Sequence, residues 1–263
     1  MHARDAVKAP YYVWVALTLT WIADFVDVVG YIVLYRVFVT NMTGNTIALG
    51  QGLAAGDWGV CFRRGFAIPM FVLGLIVSRL VLSLSGAHNA PHAAGVLFGV
   101  EVLLLVTFMV IGSQEIHQGR IRSEAGWLYY LLVALPAMAM GLQNATLTHF
   151  GPLTVRTTHV TGTLADWADE LVQYLMWLKA HTGSAGRFFH AVRVSRAQPS
   201  FRAACLLASA WLSYGAGAVF GALLEHPWQL LSLVLPVAIL SVMILLLLCT
   251  PSIARSATRS SES

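Results

Sequence analysis

Apolar residues run through this chain in long blocks, not in the alternation that marks half-buried elements of a soluble domain. A helix crosses a bilayer with about 20 mostly apolar residues. Residues 11–35, 65–86, 91–112 and 229–250 meet that plainly, the last with an unbroken aliphatic run at 244–248. Residues 126–148 and 201–224 meet it well. Residues 37–56 and 158–178 are weaker, being rich in Thr, Asn, Gly or Asp, and each carries a Thr-Gly pair. The pattern predicts an all-α, polytopic transmembrane helix bundle of six to eight spans. The first block does not read as a cleaved signal. Its apolar part is too long, it contains Asp24 and Asp27, and no small-x-small site closes it.

Composition removes most alternatives. The chain is 57% hydrophobic and only 11% charged, with a mean hydropathy of +0.71. Soluble domains carry about 25% charged residues. A soluble enzyme, a disordered chain and a nucleic-acid binder resting on a basic surface are excluded, and membrane lipid is the expected environment. Cys61, Cys205 and Cys249 form no CxxC, so neither a zinc site nor a disulfide framework is expected.

The bases bear on the weak segments. If all eight segments cross from a cytoplasmic N-terminus, thirteen of the sixteen bases lie inside. Only Arg36 and Arg156 lie outside, and Arg79 is intramembrane. If the weak segments do not cross, Arg63, Arg64, Arg120 and Arg122 move outside. The positive-inside rule therefore favours eight spans with both termini cytoplasmic.

The weak segments also resemble each other. Thr40-Asn41-Met42-Thr43-Gly44-Asn45 matches Thr158-His159-Val160-Thr161-Gly162-Thr163, 118 positions on. At the same offset the first span falls on the fifth. An insertion at 181–200 then separates the later spans, which still correspond. The chain reads as two tandem repeats. The first membrane repeat is 11–112, and 113–125 is a cytoplasmic connector. The second repeat is 126–250, with a basic cytoplasmic loop at 179–202, and 251–263 is a C-terminal tail. Four spans per repeat give parallel halves and three give inverted halves. Both are transporter designs with a site near the midplane.

Asp27 followed by Met42-Thr43-Gly44-Asn45, and Gly141-Leu142-Gln143-Asn144-Ala145 followed by Thr157-Thr158-His159-Val160-Thr161-Gly162-Thr163, resemble the two motifs of the YoaK family. This is a family of bacterial integral membrane proteins defined as a domain of unknown function. The resemblance runs from about Val15 to Leu248. It implies a bacterial inner-membrane protein of about six spans, fewer than the charges favour, and implies no activity. The long basic loop departs from the family pattern.

Ionisable groups at a bilayer centre cost roughly 2.5–3.5 kcal/mol on insertion scales. Asp24 and Asp27 share one helix face and are candidates for a cation or proton, or for hydrogen-bond acceptors that only hold structure. Asn41, Thr43, Gly44 and Asn45 are candidates to break a helix and bind an ion or solute, as are His159, Thr161, Gly162 and Thr163 in the other half. The bland reading of both sets is close helix packing. Gln143 and Asn144 are candidates to line the same cavity as Asp27 without a charge. Arg79 and Glu101 are expected to pair as architecture, with anion binding by Arg79 the alternative. Asp166 reads as part of an amphipathic end or as facing the cavity. Gly95 with Gly99, and Gly217 with Gly221, have the spacing of close helix contacts. No HExxH, GxSxG or Walker loop occurs, and no metal or cofactor site is expected. The reading that results is a non-enzymatic transporter of a small polar solute, coupled to protons or another ion. The alternatives are an assembly factor or sensor working through its basic loop, and a membrane-embedded enzyme.

Overall fold

The computed structural model describes residues 10–117, 126–150, 160–181 and 198–249, and among them it contains helices and short connections but no strand. α1 is Pro10–Val33, α2 Met42–Ala55, α3 Trp58–His117 and α4 Trp127–Phe150. α5 is Val160–His181, α6 Pro199–Trp228 and α7 Val234–Cys249, with a 3-10 turn, Gln229–Leu233, between the last two. Five stretches are long and apolar enough to cross a membrane: Val13–Val33, Trp58–Ser85, His92–His117, Trp127–Thr146 and Pro199–Leu246.

A straight α3 would be about 90 Å long at 1.5 Å per residue. Its contacts exclude that. Phe66 meets Tyr130 edge-on with ring centroids 5.1 Å apart, while Gly112 faces Leu132. Tyr130 and Leu132 are only about 3 Å apart along α4. The arms Trp58–Ser85 and His92–His117 therefore lie side by side, with the reversal between them. The first arm is parallel to α4: Gly74 abuts Met138 and Gly141, and Ser78 meets Thr146 at 3.0 Å. The second is antiparallel to it.

The last stretch is likewise two crossings. Its 48 residues would span about 72 Å if straight, against a hydrocarbon core of about 30 Å. Gln229 breaks it with φ at +49°. α7 then packs back on α3 and buries Leu240 completely.

The ends of these helices fix the topology. The Tyr129 hydroxyl, at the start of α4, donates to the Leu34 carbonyl, just past the end of α1, at 3.0 Å. Arg64 lies within electrostatic reach of Tyr31, Arg36 and Tyr129. The end of α1, the start of α3 and the start of α4 thus share one face of the bundle, and α1 and α4 run in opposite directions. α2 leaves that face and returns to it. It has 14 residues, about 21 Å, and is half exposed. α6 runs parallel to α1, so it begins on the face where α4 ends, and the later part of α5 lies there too, with Tyr174 and Phe201 ring centroids 5.1 Å apart. The expected crossing by 37–56 is therefore corrected, and 160–178 lies in α5, which is not among the stretches long and apolar enough to cross. Six helical segments, with the long α3 and the last stretch counted as two each, traverse the bundle, and α2 and α5 stand apart from them. Charge bias misled here because it weighs sides without seeing how the chain turns.

Lipid tails supply no hydrophobic drive for helix pairing, so close approach at small residues carries it. The Met138 carbonyl stands where a Cβ on Gly74 would sit, with the Leu142 nitrogen 3.0 Å away. The Trp21 carbonyl stands likewise at Gly217, with the Phe25 nitrogen at 3.2 Å. In both, the glycine meets a carbonyl and the amide nitrogen four residues further on. Ser213 extends the second contact by donating to the Leu17 carbonyl at 2.7 Å, and Gly221 by seating against Phe25. The Gly217–Gly221 spacing thus does form a close contact. The Gly95–Gly99 spacing does not, since space is open beyond Gly99.

Two outcomes follow. In a cysteine-less background, a membrane-impermeant thiol reagent is expected to label cysteines at positions 56 and 126 from one side and at position 198 from the other. Labelling of all three from one side refutes the six-span path. Gly74→Val and Gly217→Val are each expected to lose about 1–3 kcal/mol in reversible unfolding in mixed micelles, with Gly99→Val near neutral.

Candidate functional site

The first Thr-Gly element is built around a tight return of the chain. Tyr35 and Arg36 adopt left-handed backbone, with φ of +53° and +67°, and send residues 37–40 back along α1. Gly30 leaves room for Val39, whose Cγ1 lies 3.1 Å from where a Cβ would be. Asp27, one turn earlier and 3% exposed, accepts from the backbone N–H groups of Val39 and Thr40 at 2.6 and 2.7 Å.

The rest of the motif serves the same turn. Asn41 caps α2 by accepting from Gly44 N at 3.0 Å. Asn45, fully buried, donates to the Phe38 carbonyl at 2.7 Å and accepts from the Phe38 N–H at 3.0 Å. Gly44 is bare because the Phe38 ring lies 2.7 Å from where a Cβ would stand. Thr43 is exposed. Asp27, Asn41, Gly44 and Asn45 are therefore brought together, but with their polar atoms largely committed to backbone.

The second element differs. His159 lies outside the described residues. Thr161 is exposed, Gly162 half-buried and Thr163 buried near the start of α5. Asp166 is exposed, and nothing places it against a cavity.

Gln143 and Asn144 are buried in α4. Measured from the Leu34–Tyr129 contact, they lie about 10–12 Å deeper than Asp27 along the bundle. They do not share its level. Asp24 is partnered from α6 by the Tyr214 hydroxyl. The expected Arg79–Glu101 pair is absent. Arg79 is exposed, and both carboxylate oxygens of the fully buried Glu101 have no hydrogen-bond partner among the described residues.

A cleft of about 410 Å³ opens between α1 and α6, lined by Val13, Trp14, Leu17, Phe201, Arg202, Cys205, Leu206 and Ser209. None of the candidate residues lines it. Among the described residues, no group of three or more His, Cys, Asp or Glu side chains is placed to hold a metal.

A family model described as "Protein of unknown function (DUF1275)" matches residues 15–246. The chain belongs to the DUF1275 family. It is also similar to the UPF0700 transmembrane protein YoaK of Bacillus subtilis (strain 168), with 27% identity over 157 residues. That match covers 60% of this chain and 66%, just under two thirds, of the relative's length. No solved structure matches.

In this DUF1275 chain the first motif spans α1 and the start of α2; of the second, Gly141 to Ala145 lie in α4 and Val160 to Thr163 open α5, while residues 157–159 lie outside the described residues. Sequence reasoning missed Gly74, Tyr214 and the Ser78–Thr146 hydrogen bond. Gly74 has no glycine partner at GxxxG spacing, and Tyr214 looks like any apolar-span aromatic. Only Gly141, inside Gly-Leu-Gln-Asn-Ala, carried a visible signal.

Asp27→Asn retains an acceptor and is expected to keep the turn. Asp27→Leu strands two buried N–H groups at about 1–3 kcal/mol each. Amide exchange at residues 39 and 40 is expected to rise sharply in the leucine variant alone; equal exchange in both variants refutes the anchoring role.

Proposed function

We propose that this DUF1275 protein is a bacterial inner-membrane transporter of a small polar solute, working without cofactor or covalent chemistry. The observation that carries the reading is the crossed pairing of the two halves. The first span of each half packs in parallel on the second span of the other, α1 on α6 and α4 on the first arm of α3, through the same glycine-to-carbonyl contact. Together with the matching Thr-Gly segments and the opposed directions of α1 and α4, this supports an inverted duplication of three spans plus one capping helix. Inverted repeats with non-crossing polar segments recur in secondary transporters, where rocking of one unit against another alternates access.

The pairing changes which bodies would rock. Tight Gly contacts join α1 to α6 and α3 to α4, so the moving units are these crossed pairs rather than the sequence halves. Polar groups then sit on both units: Asp24 with Tyr214 on one, Gln143, Asn144 and Glu101 on the other. The solute path would run between them.

Charge supports a cytoplasmic N-terminus even with six spans. By position between the spans, ten bases belong to the N-terminal face: Arg4, Lys8, Arg156, Lys179, Arg187, Arg193, Arg196, Arg202, Arg255 and Arg259. Five belong to the other face: Arg36, Arg63, Arg64, Arg120 and Arg122. The bias is weaker than eight spans would give, and it keeps its sign.

Metabolite profiling of cells lacking and overproducing the protein is expected to show opposite changes in one class of polar solute. Purified protein in liposomes is then expected to move that solute. No reciprocal change, or flux equal to that of empty liposomes, refutes transport.

A further inference from the structure

Among the described residues, Glu101 and Gln143 are buried with every polar side-chain atom left without a hydrogen-bond partner. Glu101 on the second arm of α3 is 0% exposed and neither carboxylate oxygen is hydrogen-bonded; Gln143 on α4 is 1% exposed and neither its Oε1 nor its Nε2 is. A buried polar atom left unpaired costs about 1–3 kcal/mol, more if charged. Four such atoms in a membrane bundle call for an occupant or a role.

Helix geometry puts the two on one seam. The second arm of α3 and α4 are antiparallel, and Gly112 faces the Leu132 Cδ2, which would lie 3.6 Å from an added Cβ. Glu101 lies eleven residues before Gly112, and Gln143 eleven residues after Leu132. Eleven residues are three turns and about 20°. Both side chains therefore fall on the faces that meet at Gly112 and Leu132, about 16 Å along the bundle on each helix. The buried stripe of this α3 arm passes through Leu97, Glu101, Leu105, Phe108 and Gly112. Leu97 and Leu142 belong to one buried cluster, which closes the seam beyond the pair.

The chemistry of the pair is specific. A carboxylic acid and a primary carboxamide are complementary: the acid O–H donates to the amide oxygen, and an amide N–H donates to the acid carbonyl. An ionised carboxylate keeps only the second of these bonds. Both terminal torsions are soft enough to make the exchange. We propose that Glu101 and Gln143 form an intramembrane proton site, in which Glu101 takes up one proton from water as the acid–amide pair closes and returns it to water as the pair opens. Hydronium gives up one proton to a carboxylate oxygen and leaves as water, the reverse occurs on release, and no bond between heavy atoms is made or broken. Among the residues whose side chains are described, Arg79 and His92 are exposed, Glu115 is about 21 Å further along α3, Tyr129 and Tyr130 stand at the opposite end of α4, and α7 from Val234 to Leu246 carries no ionisable group. This inference rests on the helix packing and holds whether or not the protein transports a solute.

The test is infrared difference spectroscopy of the full chain in lipid nanodiscs across pH steps, with sodium chloride or choline chloride as the salt. A carboxylic-acid carbonyl band is expected that responds to pH alike in both salts. It is expected to vanish in Glu101→Gln and to move toward the free-acid frequency in Gln143→Leu, which leaves Glu101 intact. Persistence of the band in Glu101→Gln overturns the assignment. An unmoved band in Gln143→Leu removes the amide from the site. Loss of the band on adding sodium at constant pH makes it a metal-cation site instead and refutes the proton reading.

Discussion

The hydrogen bonds from Val39 and Thr40 to Asp27 are the constraint on which the rest of this bundle hangs. Within a membrane no water is available for a stray N–H, so irregular backbone persists only where protein satisfies it. After α1 the chain turns through two left-handed non-glycine residues, each a cost of order 1 kcal/mol or more. It then lays four residues against α1. The carboxylate, two turns back from the helix end, accepts both exposed amides and makes that return tolerable. Gly30, three residues further on, gives Val39 its space. Once the chain has folded back, α2 starts low on the face it came from and has too few residues to traverse. The start of α3 therefore falls beside the end of α1, and the direction of every later helix follows.

A second constraint acts between helices. With lipid on one side and protein on the other, both apolar, the gain from pairing comes from fit. Gly74 against Met138 and Gly217 against Trp21 bring backbones to the limit that a missing side chain allows. Each contact joins elements that are distant in sequence. The capping helices are bound differently, α2 mainly to α3 and α5 to α6, so each rides on a crossed pair.

Much of the fold was legible in the sequence. Hydropathy located every crossing segment, since about 20 apolar residues in a row have few other uses. The first Thr-Gly element was visible as a place where a helix breaks. Its meaning was not visible, because Asn, Thr and Asp serve equally as ligands for a solute and as acceptors for a chain's own amides. Nothing in Asn41 or Asn45 says whether its oxygen faces Gly44, Phe38 or a cavity. The crossing number was misjudged for a related reason. Arg63 and Arg64 are consistent with either side until Tyr129 and Leu34 show which helix ends meet. The pairing of Arg79 with Glu101 was argued from depth alone, and depth does not fix azimuth around a helix.

Azimuth also separates the two kinds of buried acid. Asp27 was the more conspicuous candidate, lying in a recognisable motif beside a broken helix. Its hydrogen-bonding capacity is spent on Val39 and Thr40, and binding a solute there would release two amides into an apolar surrounding. Glu101 lies in an unremarkable apolar span with no motif around it. Its demand is unmet, and so is that of Gln143 at the same level. In a medium where each unsatisfied polar atom carries a cost, a committed carboxylate marks architecture. An uncommitted one is retained against that cost, and in a bundle otherwise closed by leucine, phenylalanine and glycine the unmet pair is where chemistry has room to occur.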